Sequence, residues 1–267
     1  MPTLRSVIDG FVAEAGVFSL QAPPEWSQGR TLYGGMTTAL SAQVALKALP
    51  GLPVLRSAQV AFIGPASGLL RFTPALLRQG KSSAIVGVDC ISAADNRAET
   101  GIAARSIFTY GAGRESSVAH DFSTRPDVPA PDACPVYADP DVFRPSFFQN
   151  LDVRLAAGKR PVSGEGVPDF MVWVRHLDNA GLDPIVALLA LADAPPPAAM
   201  IQFKAFAPIS SMTWSIDLFQ PVAASDWYLL RSYSEQAAHG YSLQGMELWN
   251  AAGQRVAAAR QMVALFA

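Results

Sequence analysis

The run from Asp183 to Asp193, Asp-Pro-Ile-Val-Ala-Leu-Leu-Ala-Leu-Ala-Asp, constrains the fold more than any other stretch of the chain. Its punctuation is helical. Asp183 is a good N-cap, Pro184 fits a first turn where its missing N–H costs nothing, and Pro195, Pro196 and Pro197 stop the run. Everything between the two acids is apolar, so the helix has no face to show water and must be buried all round. At 1.5 Å per residue it is about 15 Å long, too short to cross a bilayer. Some other element must therefore wrap it. Asp193 closes the run at the end where the helix dipole disfavours a negative charge.

A second helix of the same character is predicted from Met36 to Leu49, led by Tyr33-Gly34-Gly35 and ended by Pro50-Gly51, with Lys47 its one charge. After each helix the apolar period changes to two. Strands are predicted over 54–62, 69–77, 83–92 and 100–110 in the first half. Gly64-Pro65, Arg78-Gln79-Gly80-Lys81 and Asp95-Asn96 separate them. In the second half, strand-like stretches at 147–155 and 170–175 precede the helix. Strands over 212–219, 227–234, 241–250 and 256–266 follow it, with a turn at His239-Gly240. Residues 11–21 fit a helix or a strand. Short connections make the strands antiparallel.

One apolar helix followed by four antiparallel strands thus occurs twice, offset by about 150 residues. The expected fold is α+β, a double hot dog: two tandem repeats, each an antiparallel sheet wrapped around a buried helix. The repeats are expected at 1–110 and 146–267, with the proline-rich stretch 111–145 as a linker. Two such sheets can join edge to edge and remove two exposed edges. Two unrelated α+β domains are the alternative. The matching positions of Phe62-Ile63-Gly64-Pro65 and Phe219-Gln220-Pro221 favour duplication.

Of 267 residues, half are hydrophobic and 16% charged, which excludes a disordered chain. A net charge of −2 and the absence of a basic cluster argue against nucleic acid or an anionic membrane as main partner. The first residues lack the apolar core of a signal peptide, and no run approaches transmembrane length, so a cytoplasmic protein is expected. With three histidines, no CxxC or HxxH spacing, and only Cys90 and Cys134, no metal site or cofactor is expected. A buried reduced thiol is expected at Cys90.

The order of several short motifs resembles the double hot-dog acyl-CoA thioesterases of the bacterial thioesterase II type. Tyr33-Gly34-Gly35 is similar to that family's aromatic-Gly-Gly helix start, Phe62-Ile63-Gly64-Pro65 to its Phe-x-x-Pro, and Leu77 to Ser82 to its Leu-Arg-x-Gly-x-Ser hairpin. Ala192-Asp193 resembles the helix-ending acid, Pro221 with Trp227 to Leu230 the Pro…Trp-x-Leu, and Leu248 to Gly253 with Gln261 the final hairpin and terminal-strand glutamine. The resemblance implies thioester hydrolysis of an acyl-CoA substrate, association into homodimers, and a catalytic trio falling on Asp193, Ser211 and Gln261. Serine stands here for the family's threonine. Thr213-Trp214 and Phe219-Gln220 depart from its Asp-His and His-Arg pairs.

Read as chemistry, a carboxylate desolvated between an apolar helix and a triple proline suits a general base for water. Ser211 and Gln261 can hold the same water. Free N–H groups at the first helix start, near Gly34 and Gly35, suit the oxyanion of the tetrahedral intermediate. Plainer readings stay open for each: an Asx turn at Asp193, a half-exposed strand position at Ser211, a structural amide at Gln261, and backbone geometry at the glycines. Two other functions are carried. One is a silent acyl-CoA-binding module. The other is a dehydratase or hydratase built on His176 with Asp178.

Overall fold

The computed structural model describes residues 3–92, 101–137 and 145–267. The expected turn at Asp95-Asn96 lies outside them. The chain opens with helix α1 (Leu4–Asp9), strands β1 (Val12–Glu14) and β2 (Val17–Gln21), and a small hairpin of β3 (Ser27–Gln28) and β4 (Thr31–Leu32). Helix α2 (Gly34–Ala48) follows, then β5 (Leu55–Phe62), β6 (Leu69–Gln79), β7 (Ser83–Ser92) and β8 (Gly101–Gly111). The second half runs β9 (Leu151–Ala157), β10 (Asp169–His176) and α3 (Pro184–Ala192). It ends with β11 (Ile209–Leu218), β12 (Tyr228–Ala238), β13 (Tyr241–Asn250) and β14 (Arg255–Leu265).

Twelve of these strands form one antiparallel sheet in the order β1-β2-β6-β7-β8-β5-β11-β14-β13-β12-β10-β9. Read outward from the middle, the sequence of strands on one side repeats on the other. Each half starts at the seam with the first strand after its helix and ends with two strands from earlier in the chain than that helix, β2 and β1 on one side and β10 and β9 on the other. This is the double hot dog, with the sheets joined edge to edge through β5 and β11. At the seam Ala58 pairs with Ile216 and Val60 with Trp214, all four buried on the inner face.

Both long helices lie inside the curl of the sheet and pack on each other. Helix α2 brings Ala39, Ala42 and Ala45, all fully buried, and α3 brings Leu188, Leu189 and Ala190. Small side chains let two helix backbones come close, so the pair fits in one shell. A single apolar core then runs through both halves. Asp183 caps α3 as expected, accepting from the N–H of Ile185 at 2.9 Å. The β12–β13 hairpin turns on His239 and Gly240, both at positive φ.

The structure adds strands to the sequence reading. Residues 12–21 form β1 and β2, a short two-stranded flap whose inner strand pairs with β6. The stretch from Phe147 is a 3-10 turn, Ser146–Asn150, before β9 begins. Its aromatic pair is spent on packing: the ring of Phe147 stacks on Tyr33 at 4.0 Å. Past β8, the chain crosses the outer face of the second-half sheet. There Pro129 accepts from the Trp173 indole at 2.8 Å, and Cys134 joins Trp173, Leu229 and Trp249 in a small second cluster. Cys90 and Cys134 are both buried free thiols. No helix among the described residues is long and apolar enough to cross a membrane.

Truncating Leu188, fully buried on α3, is expected to cost about 2–5 kcal/mol as Leu188→Ala. Removing the cap by Asp183→Ala should cost about 1 kcal/mol. Urea unfolding of each variant beside the wild type measures both values.

Candidate active site

Helix α3 ends where α2 begins. Asp193 is the residue that caps the C-terminal end of α3, and its carboxylate reaches the N-terminal turn of α2, where the backbone N–H of Gly35 donates to it. The local electrostatic penalty at the end of α3 is thereby offset by the positive end of a different helix. Asp193 Oδ2 lies so close over Gly34 that a Cβ there would sit 2.6 Å from it and 3.1 Å from the ring of Phe62, at the end of β5. Only glycine leaves room for the acid. No Asx turn forms in the proline loop. Burial drives the Asp193 carboxyl up to about 7, while the bonds from Gln261 and Gly35 pull it partway back.

Gln261 is buried on β14, and its Nε2 donates to Asp193 Oδ1. Directly across the ladder, in register, lies Gln244 of β13. Gln244 is fully buried, donates from Nε2 to Gln261 Oε1 at 3.4 Å, and accepts at Oε1 from the N–H of Ala198 at 2.7 Å. Ala198 begins the 3-10 turn Ala198–Gln202 just beyond the three prolines. Gln244 is the buried partner that an amide on the apolar face of β14 requires. The available signal was a second glutamine on an inner-face position of a hairpin partner strand.

Ser211 reaches the inner face through an irregularity. Thr213 pairs with the outward Met262 and Trp214 with the inward Gln261, but the register slips between Ser211 and Thr213, so Ser211 pairs with Val263. Val263 is fully buried on the same face as Gln261. The extra residue at Met212 turns Ser211 inward, where simple alternation would have put it with Thr213 on the solvent face. Its hydroxyl makes no hydrogen bond to another described residue, and its side chain is half-buried.

Gly34 and Gly35 occupy the first turn of α2, with Tyr33 as the N-cap residue and no side-chain cap. The N–H of Gly35 serves Asp193. The Tyr33 hydroxyl is buried beside Gly35, has no hydrogen-bond partner among the described residues, and is pushed well up by burial and by the Asp193 charge. Trp214, which departs from the family pattern, is buried next to Gln261 with its indole N–H likewise unpartnered among the described residues. His176 belongs to none of this. Its Nε2 bonds the Ala187 carbonyl at 2.8 Å and burial lowers its pKa, so it braces α3 against β10. Asp178 makes no bond to it. A cavity of about 380 Å³ lies at the opposite ends of the two helices, among Leu46, Leu55, Tyr110, Pro184, Ile185 and Val222.

Two family models match the chain: an acyl-CoA thioesterase N-terminal domain over residues 22–111 and an acyl-CoA thioesterase C-terminal domain over residues 131–265. No curated protein matches by sequence. Among solved structures, a hot-dog-fold protein of unknown function from Alicyclobacillus acidocaldarius superposes with a TM-score of 0.84 at 22% identity, covering 97% of this chain and 98% of that one. The acyl-CoA thioesterase II TesB2 of Mycobacterium marinum gives a TM-score of 0.76 at 18% identity, covering 98% and 97%. The tesB protein of Mycobacterium avium subsp. paratuberculosis gives 0.78 at 15%, covering 98% and 97%. The likenesses to solved structures carry the double hot-dog fold, and the domain matches carry the family: the chain belongs to the acyl-CoA thioesterases and is a thioester hydrolase.

Proposed function

We propose that the chain hydrolyses an acyl-CoA thioester to the free acid and coenzyme A with a water molecule as nucleophile, Asp193 as general base, and Ser211 and Gln261 as the groups that hold the water. The observation that carries this reading is the setting of Asp193: a carboxyl at the junction of two helix ends, held by the Gln261 amide of β14 and the Gly35 N–H of α2, with burial pushing its pKa up to about 7. A base with a pKa near the working pH combines a useful ionised fraction with real proton affinity.

In this scheme the water donates one hydrogen bond to Asp193 and is oriented by the Ser211 hydroxyl and the second N–H of the Gln261 amide. Asp193 takes the proton as the oxygen attacks the thioester carbonyl. The oxyanion that forms is met by N–H groups at the start of α2. Gly35 is already committed to Asp193, so the Gly34 N–H is assigned as the leading donor there. Collapse of the tetrahedral intermediate breaks the C–S bond, and the proton held by Asp193 passes to the departing thiolate. Water is consumed once, no covalent enzyme intermediate forms, and no cofactor takes part.

The division into repeats at 1–110 and 146–267, with a linker at 111–145, belongs to the same proposal, as do association into a homodimer and a cytoplasmic setting.

Thiol release from short, medium, long and aromatic acyl-CoA esters is expected for the wild type, with turnover rising through a limb near pH 7. Asp193→Ala should lower turnover by about 10²–10⁴-fold. Smaller losses, about tenfold, are expected for Ser211→Ala and Gln261→Ala. Wild-type rates in Asp193→Ala would sink the site assignment, and no release from any ester would sink the activity.

The same carboxyl sets a stability test. Asp193 has a folded pKa above its unfolded value of 3.8, so the native state binds more protons between about pH 4 and pH 7. The Asp193 contribution to stability is therefore fully present below that window and is lost as pH rises through it, by about 4 kcal/mol at most. Asp193→Asn should flatten this slope in urea unfolding measured from pH 4 to pH 8. An unchanged slope would place the raised carboxyl elsewhere.

A further inference from the structure

Gln244 makes no direct contact with Asp193, yet it decides what Asp193 meets. Its Oε1 accepts from the Ala198 N–H at 2.7 Å. A peptide N–H can only donate, so this bond fixes which end of the Gln244 amide is oxygen. Nε2 then points to Gln261 and, being a donor only, requires that Gln261 turn its own oxygen toward it. The Nε2 of Gln261 is left for Asp193. The sense of each amide follows from the one before it, starting from a backbone group that cannot flip.

Asp193 by itself imposes no such sense. An ionised carboxylate accepts from an amide N–H, but a protonated carboxyl can equally donate to an amide oxygen. With Gln261 free to turn end for end, both arrangements are open, and the second holds the acid protonated. In a buried site an acceptor facing an acceptor is costly, so a turned amide favours the proton.

We propose that Gln244 is a positioning residue: it locks the Gln261 amide with its N–H toward Asp193 and so keeps the carboxylate in the ionised, water-accepting form. Its role in turnover rests on the assignment of Asp193 as base. Its effect on Asp193 titration and on the orientation of Gln261 does not, and can be measured without substrate.

The test uses the full chain and two variants. Gln244→Met keeps the volume and removes both hydrogen bonds. Gln244→Glu keeps an acceptor for the Ala198 N–H and so protects the fold if Gln244→Met does not fold. Asp193 is followed by carbon NMR of carboxyl-labelled aspartate, identified by its loss in Asp193→Asn. Gln261 is followed by its side-chain N–H signals.

In the wild type the Gln261 N–H signal should track the Asp193 titration. In Gln244→Met the Asp193 titration should move up by about one pH unit, and the tracking should weaken. The rising limb of kcat should move by the same amount, about a fivefold loss at pH 7, with KM within about twofold. A purely structural glutamine would lower the unfolding midpoint and leave the limb in place. In Gln244→Glu the added charge alone would raise Asp193, so there the decisive signal is loss of Gln261 tracking. An unmoved Asp193 titration in Gln244→Met, or intact tracking in either folded variant, overturns the proposal. Full turnover in Asp193→Asn would instead remove the base assignment, and leaves the NMR result to decide the positioning claim.

Discussion

The carboxylate of Asp193 joins the end of one buried helix to the beginning of another, and the architecture around it follows from making that junction possible. An acid at the C-terminal end of α3 is repelled by its own helix and attracted by the N-terminal end of α2. For the two ends to meet, both helices must lie in one shell, which requires a sheet long enough to wrap them together. The β5–β11 seam supplies that continuity. Glycine at 34 then lets the acid come within reach of the backbone.

The two halves of the sheet mirror each other, but the two ends of the helix pair do not. At the Asp193 end, the first turn of α2 has donors to offer and no side-chain cap. At the other end, Asp183 satisfies its own helix, Pro184 has no N–H, and the space between is apolar. The duplicated framework therefore contains one polar junction and one greasy one. That asymmetry is written in a few residues at helix termini, where capping chemistry decides whether a backbone donor is free or spent.

Much of this was legible in the sequence. An all-apolar helix with clear start and stop signals had to be wrapped, and the change of period after each helix named the wrapper. Asp193 stood out because its position opposed a dipole. Other features were hidden for identifiable reasons. Residues 12–21 are too short and too exposed to show a period, though they form two strands. Ser211 reads as an outward position by alternation, and only the slipped register at Met212 brings it inward. Gln244 left only one clue, a second glutamine at an inward position of the hairpin strand beside Gln261. Its meaning depends on a register partner, Gln261, and on a backbone group 46 positions away, neither of which local pattern can reveal.

The three prolines after Asp193 first served as a stop signal, but they have a further effect. Proline carries no N–H, and Ala194 gives its own to the Leu191 carbonyl at 3.0 Å. Ala198 is therefore the first residue past the acid whose backbone donor is unclaimed, and Gln244 takes it. From Ala198 the hydrogen bonds run through Gln244 and Gln261 back to Asp193, and the covalent chain closes the circuit. The base and the anchor of its amide chain are thus two points on one stiff strap, so a shift of the loop moves both together and the circuit keeps its shape.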